Sequence, residues 1–154
     1  MPNWIEGTMK VRGKAENLMR LFENAFETLD NGTYRADKDI YSESVDYNIK
    51  SSLYIEGSRR AFTSQSFNVY VDFNEYQTVS FPVKQAWSWT PEEGSEQRWI
   101  NLAKKYGVDI RLQGFECGMQ FYQDLEIVNG EIVTDNVVQY DDWEWECPMP
   151  NLGG

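Results

Sequence analysis

Apolar and polar residues alternate cleanly from Ile5 to Arg12, with Ile5, Gly7, Met9 and Val11 pointing one way and Glu6, Thr8, Lys10 and Arg12 the other. That period of two predicts a half-buried strand. Gly13 is expected to break it. The spacing then turns helical: Ala15, Leu18, Met19, Phe22, Ala25, Phe26 and Leu29 form one stripe, which Asp30-Asn31-Gly32 should stop. Residues 33–52 are polar with scattered Tyr and Ile and yield no assignment. Leu53 to Glu56 predicts a short strand. Phe67, Val69, Val71 and Phe73 alternate with polar residues, as do Val79, Phe81 and Val83, and Asn74-Glu75 between them predicts a hairpin.

A second helix is expected after Thr90. Thr90 suits its cap, Pro91 its first position, and Glu93 completes a capping box. Trp99, Leu102, Ala103 and Tyr106 supply the buried stripe, Lys104 and Lys105 complement the C-terminal dipole, and Gly107 suits the C-cap. Val108, Ile110 and Leu112 alternate as a strand. Met119 to Val128 and Glu131 to Gln139 predict two more strands around Asn129-Gly130, a strong hairpin signal. Ile5-Glu6-Gly7-Thr8 is echoed by Ile55-Glu56-Gly57-Ser58, which is too short to make a repeat. With no linker or low-complexity segment, residues 1–154 read as one domain. The element order predicts an α+β fold: a ferredoxin-like split βαβ sandwich, its antiparallel sheet carrying two helices on one face and extended by a C-terminal β-hairpin.

Composition narrows the function classes. Aromatics at 15% and hydrophobic residues at 41% of 154 are enough to build a core. No run approaches the roughly 18 apolar residues of a membrane span, and Met1-Pro2-Asn3-Trp4 is neither a basic leader nor an apolar one. A cytoplasmic location is expected, with Cys117 and Cys147 as reduced, buried thiols. Fourteen basic residues against 25 acidic give a net charge of −11. Such a chain is repelled by nucleic acid and anionic lipid and drawn to basic surfaces.

The sequence contains no histidine, which removes Ser-His-Asp and Cys-His nucleophile systems and most zinc sites. The residues two before the lysines (Thr8, Arg12, Ala36, Asn48, Pro82, Leu102 and Ala103) include no acid, so a common metal-nuclease spacing is missing. Gly13-Lys14 lacks the rest of a phosphate-binding loop. Gly114-Phe115-Glu116-Cys117-Gly118 reads as a glycine-bounded strand turn rather than a nucleophile elbow. Asp124 and Glu126 form a carboxylate pair of the kind strands commonly present. No catalytic residue, metal ligand or cofactor site is expected. Tyr70, Phe115 and Tyr122 are candidates for an aromatic, open sheet face of the RNA-binding type.

The positive signal lies in Tyr140-Asp141-Asp142-Trp143-Glu144-Trp145-Glu146, where carboxylates and aromatics interleave. In an extended segment Trp143 and Trp145 would share one face, with Asp142, Glu144 and Glu146 on the other. Pro148 and Pro150 keep the end of the chain irregular. The bland account has the tryptophans covering the sandwich edge above solvated acids; calcium binding lacks an EF-hand-like loop. The functional account is a docking edge with tryptophan anchors and acids that steer toward a basic groove. Trp87 and Trp89, at the same spacing beside a helix cap, are expected in the core.

Met1-Pro2-Asn3-Trp4 followed by strand, Gly13 and helix resembles the phage- and plasmid-borne YubB-like ferredoxin-fold family. So does Ala86-Trp87-Ser88-Trp89-Thr90-Pro91 leading to Lys105-Tyr106-Gly107-Val108. Ile5 stands where many members carry cysteine, and a central Trp-Gly-Thr-Lys-Trp-like block is missing. The resemblance implies the fold and a mobile-element origin but no established activity. With the charge, it leads to the expectation of a non-catalytic inhibitor in the host bacterial cytoplasm. Its partner would be a host nucleic-acid-binding defence protein, such as a CRISPR effector. The alternative is a nucleic-acid or small-ligand module using the open sheet face.

Overall fold

The computed structural model describes residues 2–154. The opening strand β1 runs Trp4–Lys14, longer than expected, because Gly13 does not break it. A Cβ on Gly13 would lie 3.1 Å from Val108 Cγ1, so this glycine lets the chain after the second helix pass close by. Helix α1 spans only Ala15–Asn24. Phe26 leaves the stripe to begin β2 (Phe26–Glu27), and Leu29 is exposed. Pairing with Tyr54 and Ile55 outcompetes continued helix there.

The unassigned region 33–52 contains β3 (Asp37–Ile40) and β4 (Ser44–Ile49). Next come β5 (Tyr54–Ile55), β6 (Ala61–Thr63), β7 (Phe67–Asp72) and β8 (Tyr76–Ala86). The chain turns at Asn74 as expected, yet β7 and β8 form no ladder. β8 already has β1 along its length and β6 at Val83–Gln85, so β7 pairs with β4 instead.

Helix α2 spans Glu96–Tyr106 and ends at Gly107 in the left-handed region, as its sequence predicts. Its start does not follow the capping box. Ser95 occupies the N-cap without a side-chain capping bond, its hydroxyl donating to Glu92 O at 2.6 Å, and the Thr90 hydroxyl accepts from Gln123 Nε2 at 3.0 Å. Strands β9 (Asp109–Glu116), β10 (Phe121–Val128) and β11 (Glu131–Gln139) complete the sheet, with Asn129 and Gly130 at positive φ in the last turn. Gly114 lies inside β9 rather than bounding a turn. A short helix, α3, covers Trp143–Glu146.

The class is α+β, with an eight-stranded sheet ordered β11-β10-β9-β1-β8-β6-β5-β2, antiparallel throughout, and a separate sheet ordered β3-β4-β7. A single sheet under two helices is therefore corrected: there is a third helix and a second sheet. The inner face of the large sheet shows the expected alternation in register, Phe81 beside Met9, Met9 beside Leu112, Leu112 beside Leu125. Phe22 of α1 joins the sheets, its ring 5.8 Å from Phe81 on the large one and 5.9 Å from Tyr47 on the small one. The buried apolar residues form one continuous cluster across both.

Candidate docking surface

The β1 register places Trp4 beside Ala86 and Ile5 beside Glu116, while Phe121 faces both Glu116 and Gln139. The loop after β8, the turn between β9 and β10, and the segment after β11 therefore emerge at one end of the large sheet. Buried Glu116 organises the turn, its carboxylate accepting from the backbone N–H groups of Gly118 (2.6 Å) and Met119 (2.9 Å). Trp87 sits beside it with φ of 73° and is 46% exposed, contrary to its expected place in the core. A bulky residue in the left-handed region costs roughly 1–3 kcal/mol. The Trp87 N–H donates to Asn3 O at 2.7 Å, which holds the strained turn against β1.

Residues 140–146 are not extended. The Glu146 carboxylate accepts from the N–H groups of Asp141 (3.1 Å) and Asp142 (2.6 Å), and Asp142 Oδ1 accepts from Trp145 N at 3.4 Å. These reciprocal caps close a helical turn. Two residues apart on a helix lie about 200° around the axis, so the tryptophans part company. Trp143 is buried, edge-on to Phe115 and Tyr140, with its indole N–H donating to Pro150 O at 2.9 Å. Trp145 is 87% exposed. Asp142 and Glu146 serve as caps, while the side chains of Asp141 and Glu144 make no hydrogen bond or ion pair among the described residues. Trp87, Met119, Trp145 and Met149, in the loops and the short helix beyond the strands, are exposed large apolar residues.

On the face of the large sheet away from α1 and α2, Phe115 and Tyr122 stand together at 5.0 Å, whereas Tyr70 belongs to the small sheet. Trp143 lies over Phe115. Arg111 grips Asp124 in a fork of 2.9 and 2.7 Å and reaches Glu126 at 3.9 Å. The hydrogen bond to Asp124 raises the Arg111 pKa, and the guanidinium lies between the two carboxylates. Cys147 is buried and Cys117 half-buried; both are free thiols. No helix among the described residues is long and apolar enough to cross a membrane. Comparison with protein-family models, curated proteins and solved structures returned no match.

The sequence singled out the C-terminal segment but missed the exposure of Trp87 and the turn-forming role of Glu116. The sequence placed a turn at Gly114–Gly118 with a strand from Met119; the turn lies later, between Glu116 and Phe121. A carboxylate accepting two backbone N–H groups leaves no trace in the pattern.

Proposed function

We propose that this chain is a non-catalytic protein-binding module that docks into a basic groove of a nucleic-acid-binding partner. The surface used is the sheet end carrying Tyr140, Asp141, Asp142, Trp143, Glu144, Trp145 and Glu146. The observation that carries the reading is Trp145, almost wholly exposed on a capped turn whose other tryptophan is buried. A tryptophan left in water is unusual in a folded chain and is a typical interface anchor. Asp141 and Glu144 supply attraction toward a basic surface. The net charge of −11 adds the long-range field, and the resemblance to mobile-element proteins suggests a host defence protein, such as a CRISPR effector, in the bacterial cytoplasm. A nucleic-acid reading fits less well, because bases stacking on Phe115 would have to displace Trp143.

The frame is best read as ferredoxin-like. Strands in the order β9-β1-β8-β6, with α1 following β1 and α2 linking β8 to β9, support a split βαβ connectivity. The small sheet is then an insertion between α1 and β8, with β10 and β11 as the added hairpin.

Trp145→Ala is expected to leave the melting temperature unchanged and to weaken partner capture by tenfold or more, about 1.4 kcal/mol or above. Charge reversal at Asp141 and Glu144 should slow association and flatten its salt dependence without touching the caps. Affinity purification from host lysate followed by a salt titration measures both. Capture that is indifferent to all three positions would rule this surface out.

A further inference from the structure

The small sheet presents a second surface of different chemistry. Its inner face carries Val45, Tyr47, Val69 and Val71, all buried. The outer face carries the intervening residues, and across it Asp39 of β3 stands opposite Asp46 of β4, which stands opposite Tyr70 of β7. Two carboxylates directly opposed on neighbouring strands repel each other. Moreover, Asp46 is only 6% exposed, and its Oδ1 has no hydrogen-bond partner among the described residues. A buried, unsatisfied carboxylate oxygen beside a second carboxylate is a costly arrangement that calls for an explanation. No cation among the described residues answers it. The nearby Lys38 pairs with Glu23 instead.

Tyr70, 57% exposed, and Tyr41, also exposed, flank the acids. Their proximity shows in the Tyr70 phenol, which is pushed above its ordinary value first by the charge of Asp46, then by Tyr41, by burial, by a hydrogen bond to Asp46 and by Asp39. The acidic face continues past Asp72 into an open cavity of about 580 Å³ lined in part by Glu43, Asp72 and Glu75.

We infer that the outer face of β3-β4-β7 is a receptor for an arginine side chain of a protein partner, with Asp46 and Asp39 taking the guanidinium and Tyr70 and Tyr41 flanking it. A planar guanidinium matches the site on each count. It can span opposed carboxylates with a fork of donors, it carries donors of the kind that Asp46 Oδ1 lacks, and it stacks on phenol rings. A divalent cation fits worse, because no group of three or more acidic or thiol ligands converges among the described residues. The inference takes from the preceding reading only that the partner is basic, and it uses different residues.

The test is an amide-resolved NMR titration of the intact chain with N-acetyl-arginine amide. Matched lysine and citrulline amides, and calcium and magnesium chloride, serve as the other arms. The expected result is saturable shifts of Asp39, Asp46 and Tyr70 with arginine, weaker ones with lysine and none with uncharged citrulline. Asp46→Asn should weaken arginine binding roughly tenfold, the loss of a hydrogen bond between charged groups. Asp39→Asn, on an exposed edge strand, carries the same test if the buried variant does not fold. Trp145→Ala should leave the titration unchanged, so a failure of the α3 surface and a failure of this one are read separately. The inference is overturned by no saturable shift with arginine, by equal shifts with citrulline, by binding indifferent to both asparagine variants, or by a metal ion saturating these resonances first.

Discussion

Trp89→Ala should lower the unfolding free energy by about 3–5 kcal/mol, the range for deleting a buried tryptophan from a close-packed core. Trp89 is fully buried, and its polar groups tie three elements together. Its indole N–H donates to Gln123 O (3.2 Å) and its backbone N–H to Gln123 Oε1 (2.9 Å), fixing the loop after β8 to β10. Its carbonyl accepts from the Trp99 indole (2.9 Å) on α2 and from Gln85 Nε2 (3.1 Å) on β8. Alanine would leave a cavity and remove the indole donor from the Gln123 carbonyl. Domains are commonly stable by about 5–15 kcal/mol, so the loss would bring many to the edge of unfolding. Phenylalanine keeps most of the volume and loses only the N–H, so Trp89→Phe should cost about 1–2 kcal/mol. Urea unfolding of both variants measures the difference; equal losses would show that the hydrogen bond, not the ring, matters.

The second large effect is expected at Gly7. It stands opposite Gly114 across β1 and β9, and a Cβ built on it would meet Gln113 O at 2.0 Å and Gly114 Cα at 2.6 Å. Both are backbone atoms, so no side chain can swing aside. A Cβ on Gly114 would in turn strike Trp89 Cζ2 at 2.5 Å. Gly114 thus makes room for the Trp89 ring, and Gly7 for the close approach of β9. Gly7→Ala should cost about 3 kcal/mol, the upper part of the range for overpacking. Gly94→Ala is the control, because Gly94 has open space around it but φ of 79°. Its penalty is backbone strain alone, about 1–2 kcal/mol. Thermal unfolding should rank the two in that order.

Much of the frame was written in periodicity. β1, the core of α1, the stripe of α2 and the Asn129-Gly130 hairpin all follow their patterns, the first three because each buries an apolar face and the last because its turn residues take positive φ. Where two layers compete, local pattern misleads. Phe26 continues a helical stripe in sequence, but the strand partner Ile55 claims it. β7 and β8 read as a hairpin because nothing local says that β8 is already flanked on both sides. The alternation Val45, Tyr47, Ile49 was present yet lay among polar neighbours, and β3 beside it is exposed along its length. The C-terminal segment was legible as a candidate site by composition but not by shape. Its helical turn depends on Glu146 reaching back to Asp141 and Asp142, a bond that competes with extended structure rather than arising from it. The opposed acids of the small sheet were out of reach for the same reason as the sheet itself: Asp39 and Asp46 meet only through strand register.

The separation of the two sheets also sets how this molecule breathes. No strand ladder joins β3-β4-β7 to the large sheet among the described residues; α1 and the Phe22, Phe67 and Phe81 rings hold them together. A unit held by side chains alone can open without disturbing the larger ladder. Amide hydrogen exchange should therefore resolve two populations, with β3 and β4 exchanging faster than β1, β8 and β9. A partner gripping the small sheet would slow only the first. Protection of β3 and β4 would then report binding in real time, with the central strands as an internal clock that does not change.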